Sequence, residues 1–133
     1  MQIESLLGLI GLARRAGKLA VGEALTAELV AEGRARAIFV AQDIGEATKR
    51  KVMRHDARVP VFELPCDKQT LGQAVGVAGC AVCAMQDIGM AQAAAKKLAD
   101  TSEQNQAAAQ RVMQKKTRID RRKGVKKDKK PRG

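Results

Sequence analysis

The chain has no Trp and no Tyr, and only two Phe among its 133 residues. Proteins that hold single strands by stacking bases on exposed rings need such rings, so that class is excluded. Any polyanion would have to be met through phosphates, helix ends and close backbone approach. Histidine is equally scarce, with His55 alone. No paired carboxylates, nucleophile–base spacing or phosphate-loop motif accompanies it, which leaves little for acid–base catalysis. Cysteine is present three times, an odd number that does not build a secreted disulfide framework. The longest apolar stretch, Leu6–Ala13, is too short to cross a bilayer. Glu4 precedes it and Arg14–Arg15 follow it with no small-residue cleavage pattern, so no secretory signal is expected there. The expectation is a cytoplasmic protein with no membrane partner, acting as a monomer.

Acidic residues are also scarce, but only at one end. Residues 1–110 carry 13 Lys/Arg and 12 Asp/Glu, a net of +1. Residues 111–133 carry 12 Lys/Arg against Asp120 and Asp128, a net of +10. A near-neutral block with 45% apolar content overall can bury a core. The cationic end cannot, and its natural counterpart is a dense array of negative charge such as a nucleic-acid backbone. The expected organisation is one domain over residues 1–99 and a basic, partly helical or disordered tail over 100–133.

Apolar spacing sets the elements. Leu6, Leu9, Ile10 and Ala13 share one helix face, which predicts a helix over 4–15. A turn, a short strand and a helix start are expected across 16–22. Val21, Leu25 and Leu29 are spaced by four, which turns Leu25 toward the core of a helix stopped at Gly33. Ala37–Ala41 and Cys80–Met85 are apolar throughout, as strands covered on both faces should be. Val59–Leu64 is the strand between them. Asp43 with Glu46, Asp67, and Asp87 are expected caps for helices over 44–56, 68–76 and 88–98. Thr101–Gln104 caps a last helical stretch through Met113, and 114–133 is expected to be disordered alone. Strands alternating with helices imply crossover units, hence a three-layer α/β/α sandwich around a small mixed sheet of about four strands.

Two glycine features carry candidate chemistry. A helix beginning at Gly22 offers free N–H groups and partial positive charge, with Arg14, Arg15 and Lys18 just upstream. Leu71–Gly79 holds three glycines across a helix end; Gly72 weakens a helix, so close packing should compensate, and Gly76 would cap it and display Val77 and Ala78. A turn residue and a structural cap are the plain alternatives. Lys49, Arg50, Lys51 and Arg54 form a basic strip on one helix, suited to phosphates or to water. Cys80 and Cys83 form a CxxC inside a predicted strand, where residues three apart point to opposite faces. That geometry suits core packing, and no metal or other cofactor is expected.

Together the two features carry a resemblance. Arg15–Ala16–Gly17–Lys18, Gly22–Glu23, Gly33–x–Ala35, Ala41–x–Asp43, Thr48–Lys49, Val59–Pro60–Val61 and Leu71–Gly72–x–Ala74–x–Gly76 follow in order over about residues 5–98. This pattern resembles the ribosomal protein L-seven-Ae family, and more narrowly its small bacterial YlxQ-like branch. The resemblance implies an α/β/α sandwich that binds structured RNA, often a kink-turn, and a link to the ribosome. It implies that the second helix start enters the RNA groove and that the loop after the LGxAxG helix covers an extruded base. The implied RNA-binding residues are Arg14, Arg15, Lys18, Gly22, Glu23, Ala24, Lys49, Arg50, Gly76, Val77 and Ala78. Strong kink-turn binders of the family have Asn–Glu and a Lys where this chain has Ala24, Leu25 and Glu28, so kink-turn recognition stays open. Glu23 offers an acceptor one register earlier. A protein–protein adaptor with a cationic tail and a thiol-dependent enzyme are the alternative functions.

Overall fold

Residues two apart along each strand point to the same face of a sheet, and here both faces are apolar. A computed structural model describes the backbone of residues 3–128 and side chains through residue 123. The elements run α1 (Ile3–Arg15), β1 (Leu19–Val21), α2 (Glu23–Ala31), β2 (Ala37–Val40), α3 (Glu46–Met53), a 3-10 turn (Arg54–Ala57), β3 (Val61–Glu63), α4 (Lys68–Val75), β4 (Val82–Met85), α5 (Ile88–Leu98) and α6 (Glu103–Asp128). The sheet order is β1-β4-β2-β3. β2 and β3 are parallel, and β4 runs antiparallel to both β1 and β2.

Ala37 and Phe39 of β2, Phe62 of β3 and Cys83 and Met85 of β4 face α1, α4, α5 and the start of α6. Ile38, Val40, Val61, Val82 and Ala84 face Leu29 and Val30 of α2 and Val52 of α3. The result is the expected α/β/α sandwich on a four-stranded mixed sheet. Its two aromatic rings, Phe39 and Phe62, stack on each other at 5.6 Å, both fully buried.

Two caps form as the sequence predicts. Asp67 Oδ1 accepts from the Thr70 N–H and Asp87 Oδ2 from the Met90 N–H, each at 2.8 Å. The Asp43–Glu46 box does not form. Gly45 caps α3 without a side-chain bond, and Asp43 Oδ1 accepts from the Lys68 N–H at 2.8 Å instead. The first-turn N–H of α4 is itself an orphan donor, and it takes the carboxylate. The cap of α6 falls one residue later than expected: Ser102 Oγ accepts from the Asn105 N–H at 3.0 Å, while Thr101 Oγ1 donates to the Leu98 carbonyl.

The largest difference is α6 itself. Helix continues through residue 128, where disorder was expected beyond 113. Lys and Arg are good helix formers, no proline intervenes before Pro131, and Lys116 pairs with Asp120 at i,i+4. Ala108, Ala109 and Val112 of α6 are buried in the core. Residues 129–133 of the tail lie outside the described residues.

Candidate nucleic-acid interface

The chain leaves β1 at Gly22 with φ 96° and ψ 164°, a backbone region that favours glycine. α2 then begins with no side-chain cap, so the N–H groups of its first turn have no side chain to satisfy them. Ala24 is exposed, and Glu23 pairs with Lys51 at 3.7 Å. Leu25 is 50% exposed rather than turned into the core. The buried face of α2 is Thr26, Leu29 and Val30. Val21 belongs to the strand, so counting helical spacing from it shifted the phase by one residue.

The second glycine feature lies on the same edge. α4 ends at Gly76, left-handed at φ 82° and ψ 28°. A Cβ on Gly72 would sit 2.8 Å from both the Val77 carbonyl oxygen and Gly79 Cα. The loop therefore folds flat onto the helix that precedes it, and this close approach offsets the roughly 1 kcal/mol that glycine costs a helix. Gly76, Ala78 and Gly79 are exposed, while Val77 is half-buried against the core. The loop returns at Cys80, whose N–H donates to the Lys68 carbonyl at 3.0 Å. The Gly22 N–H donates to the Val82 carbonyl at 2.9 Å and lies beside the Cys80 sulfur. The α2 start and the 76–79 loop are thus neighbours.

The basic residues divide. Lys51 brings α3 to the α2 start through Glu23, and Lys49 reaches Glu63 at 3.8 Å, with Arg50 exposed between them. Lys18 lies at the far end of β1, where its carbonyl accepts from the Gln86 N–H. Arg14 and Arg15 leave α1 at that same far end; Arg14 is still felt electrostatically at Cys80, and Arg15 lines a groove with Thr70 and Gln73 of α4. Of the residues expected together, Gly22, Glu23 and Ala24 at the α2 start adjoin Gly76, Val77 and Ala78 of the loop; Lys49 turns to Glu63 on β3, Arg50 lies on α3 with Glu46 and Met53, and Lys18 sits at the other end of β1. Lys68, exposed at the start of α4 and bonded through its backbone to Asp43 and Cys80, joins the edge without having been marked by any motif.

The cysteines form a small core group. Cys80 precedes β4 rather than lying in it, so strand alternation does not separate it from Cys83. Cys66, Cys80 and Cys83 belong to one apolar cluster. The Cys80 thiol donates to the Val82 carbonyl at 3.3 Å. A hydrogen bond between the two thiols holds Cys83 far above the ordinary thiol range, helped by burial, and draws Cys80 down. Burial, with Asp67 nearby, pushes Cys66 up to about 11. Among the described residues no cluster of His, Cys, Asp or Glu is arranged to hold a metal ion. His55 lies in the 3-10 turn, where its carbonyl accepts from the Arg58 and Val59 N–H groups.

Residues 4–95 match the ribosomal protein L7Ae/L30e/S12e/Gadd45 family. A curated relative, the RNA-binding protein YlxQ of Enterococcus faecium, is 48% identical over 60 residues. That match takes in 44% of this chain and only 58% of the relative. A protein of unknown function from Bacillus halodurans superposes with a TM-score of 0.65 at 29% identity, covering 70% of this chain and 95% of that one. A 15.5-kD RNA-binding protein from Giardia lamblia shares the fold at a TM-score of 0.59 and 16% identity, over 74% of this chain and 86% of its own.

Proposed function

The chain belongs to the L7Ae/L30e/S12e/Gadd45 family, and on that premise we propose that it is a non-enzymatic protein that binds structured RNA, kink-turn-like and ribosome-associated. The observation that carries this reading is the meeting of the uncapped α2 start with the flat 76–79 loop on one edge. Helix-start N–H groups suit a base edge or a phosphate. A loop of Gly76, Ala78 and Gly79 lets a base or sugar come close without side chains in the way. Ala24 and Leu25 cannot hydrogen-bond a base, so they would meet RNA by apolar contact, with Lys51 and Lys68 on the flanking phosphates. The folded body, which includes the start of α6 and not residues 1–99 alone, supplies specific contact, and the basic segment beyond Val112 adds general affinity.

The variant Gly22→Asp tests the edge. It places a carboxylate at the helix start and an L side chain in a strained conformation. Binding of a kink-turn RNA, measured by filter retention, is expected to fall at least tenfold while the circular dichroism spectrum is kept. Wild-type affinity in a folded variant removes the edge from consideration.

A further inference from the structure

A cleft of about 410 Å³ opens at the end of the sheet opposite Gly22. One side is the end of α2 with Arg36, Arg58 and Pro60 before β2 and β3; the other is α6, with Arg111, Lys115 and Arg118. Five cations converge there. Among the described residues only Arg111 of these has a carboxylate partner, Asp56 at 3.1 Å. Strand β4 fixes how far the cleft lies from the glycine edge. Gly22 bonds to Val82 at its start, and the Arg36 N–H donates to Met85 at its end. Three residues of strand separate these by roughly 10 Å of backbone.

α6 reaches the cleft because it folds back along α5. Residues 99–102 connect the two helices, and Gln92 near the start of α5 touches Met113 of α6 at 3.5 Å. Past Met113, α6 runs beyond that end of the sheet. Arg111, Lys115, Arg118 and Arg122 follow one another at helical spacing, so they form a stripe on one face. The Lys115 ammonium is held below its ordinary range, by burial first and then by Arg36, Arg118 and Arg122. Like charges so placed repel one another, and an anion seated between them would relieve the repulsion.

We propose that this cleft is a second phosphate-binding site, one that takes a segment of RNA backbone separate from the segment at the glycine edge. Guanidinium forks match phosphate geometry, and four of the five cations are Arg. No aromatic ring lines the cleft, so it offers phosphates a seat and bases no stacking surface. The stripe continues to Arg122, which favours a long polyanion with regularly spaced charge over a single small anion. Glu28 stands exposed on α2, whose start lies at the glycine edge and whose end lines the cleft, and it opposes a continuous run of phosphates along that helix. The two ends therefore bracket two segments of one folded RNA. α6 lies outside residues 4–95, so the cleft joins the family body to an element the family match does not include.

This inference rests on the RNA-binding reading, and its test separates the two. Binding of a structured RNA to the full chain is measured across a salt series, with hydroxyl-radical footprinting of the RNA. The variant Arg58→Gln/Lys115→Gln/Arg118→Gln is expected to lower the salt slope by about two to three, at roughly 0.9 per phosphate. It should also erase one protected backbone segment and keep the other, the one that Gly22→Asp erases. Should the triple variant unfold, Arg58→Gln alone, at an exposed side chain, is expected to lower the slope by about one. An unchanged slope with both segments still protected overturns the cleft. So does joint loss of both segments in a folded triple variant. So does a triple variant that keeps its RNA slope but loses binding to polyglutamate. A lowered slope beside a Gly22→Asp variant of wild-type affinity keeps the cleft and removes the glycine edge. A wild-type chain that retains no RNA removes both.

Discussion

Asn105 takes the place of a fifth strand at one point of the sheet. β3 is an edge strand, and the Glu63 N–H donates to Asn105 Oδ1 at 2.9 Å while Nδ2 donates back to the Glu63 carbonyl at 2.8 Å. Gln104 adds a bond to the Val61 carbonyl at 3.2 Å. An edge so covered is blunted against pairing with another strand. Asn105 is 1% exposed, and its removal leaves the half-buried Glu63 N–H and carbonyl without these partners. Asn105→Ala is expected to cost about 1–3 kcal/mol in urea unfolding; an unchanged midpoint would show that the side chain only fills space. Residues whose partners lie close in sequence were legible in advance: Asp67 and Asp87 as caps, Gly76 as a left-handed stop, Gly72 as a position needing close approach. Asp43 and Asn105 were not. Each bonds a residue 25 or 42 positions away, and no local pattern marks such a pairing. Leu25 failed for another reason, because spacing counted from a strand residue gives the wrong helical phase.

At the scale of elements, every strand and helix of the body was legible from apolar runs and caps, and strand ends were the weakest part. Val59–Leu64 shrinks to Val61–Glu63, and Cys80 falls outside β4. α6 was misjudged because low apolar content was weighed and helix propensity was not. Its course has a direct consequence for truncation. Val112 is fully buried, and Arg111 holds both the carboxylate and the carbonyl of Asp56. A chain ending at residue 113 is expected to unfold at nearly the wild-type urea concentration. A chain ending at 110 is expected to lose at least the about 1.5–3 kcal/mol of a buried valine. Equal stability of the two would place the boundary of the folded body before Arg111.

At the scale of the molecule, charge and shape divide along the sheet. One end gathers an uncapped helix start, a flat glycine loop and the cations of α3. The other gathers the cleft where α6 crosses the body. The sequence showed a basic end after residue 110 but not that helix would carry it back against Arg36 and Arg58, because that depends on α5 and α6 pairing. The glycine edge remains the centre of the account, and amide chemical shifts of the full chain titrated with a kink-turn RNA read it most directly. The amides of residues 22–25 and 76–80 are expected to move together and saturate at one RNA concentration. Shifts confined to α6, with those two segments unmoved, would contradict it.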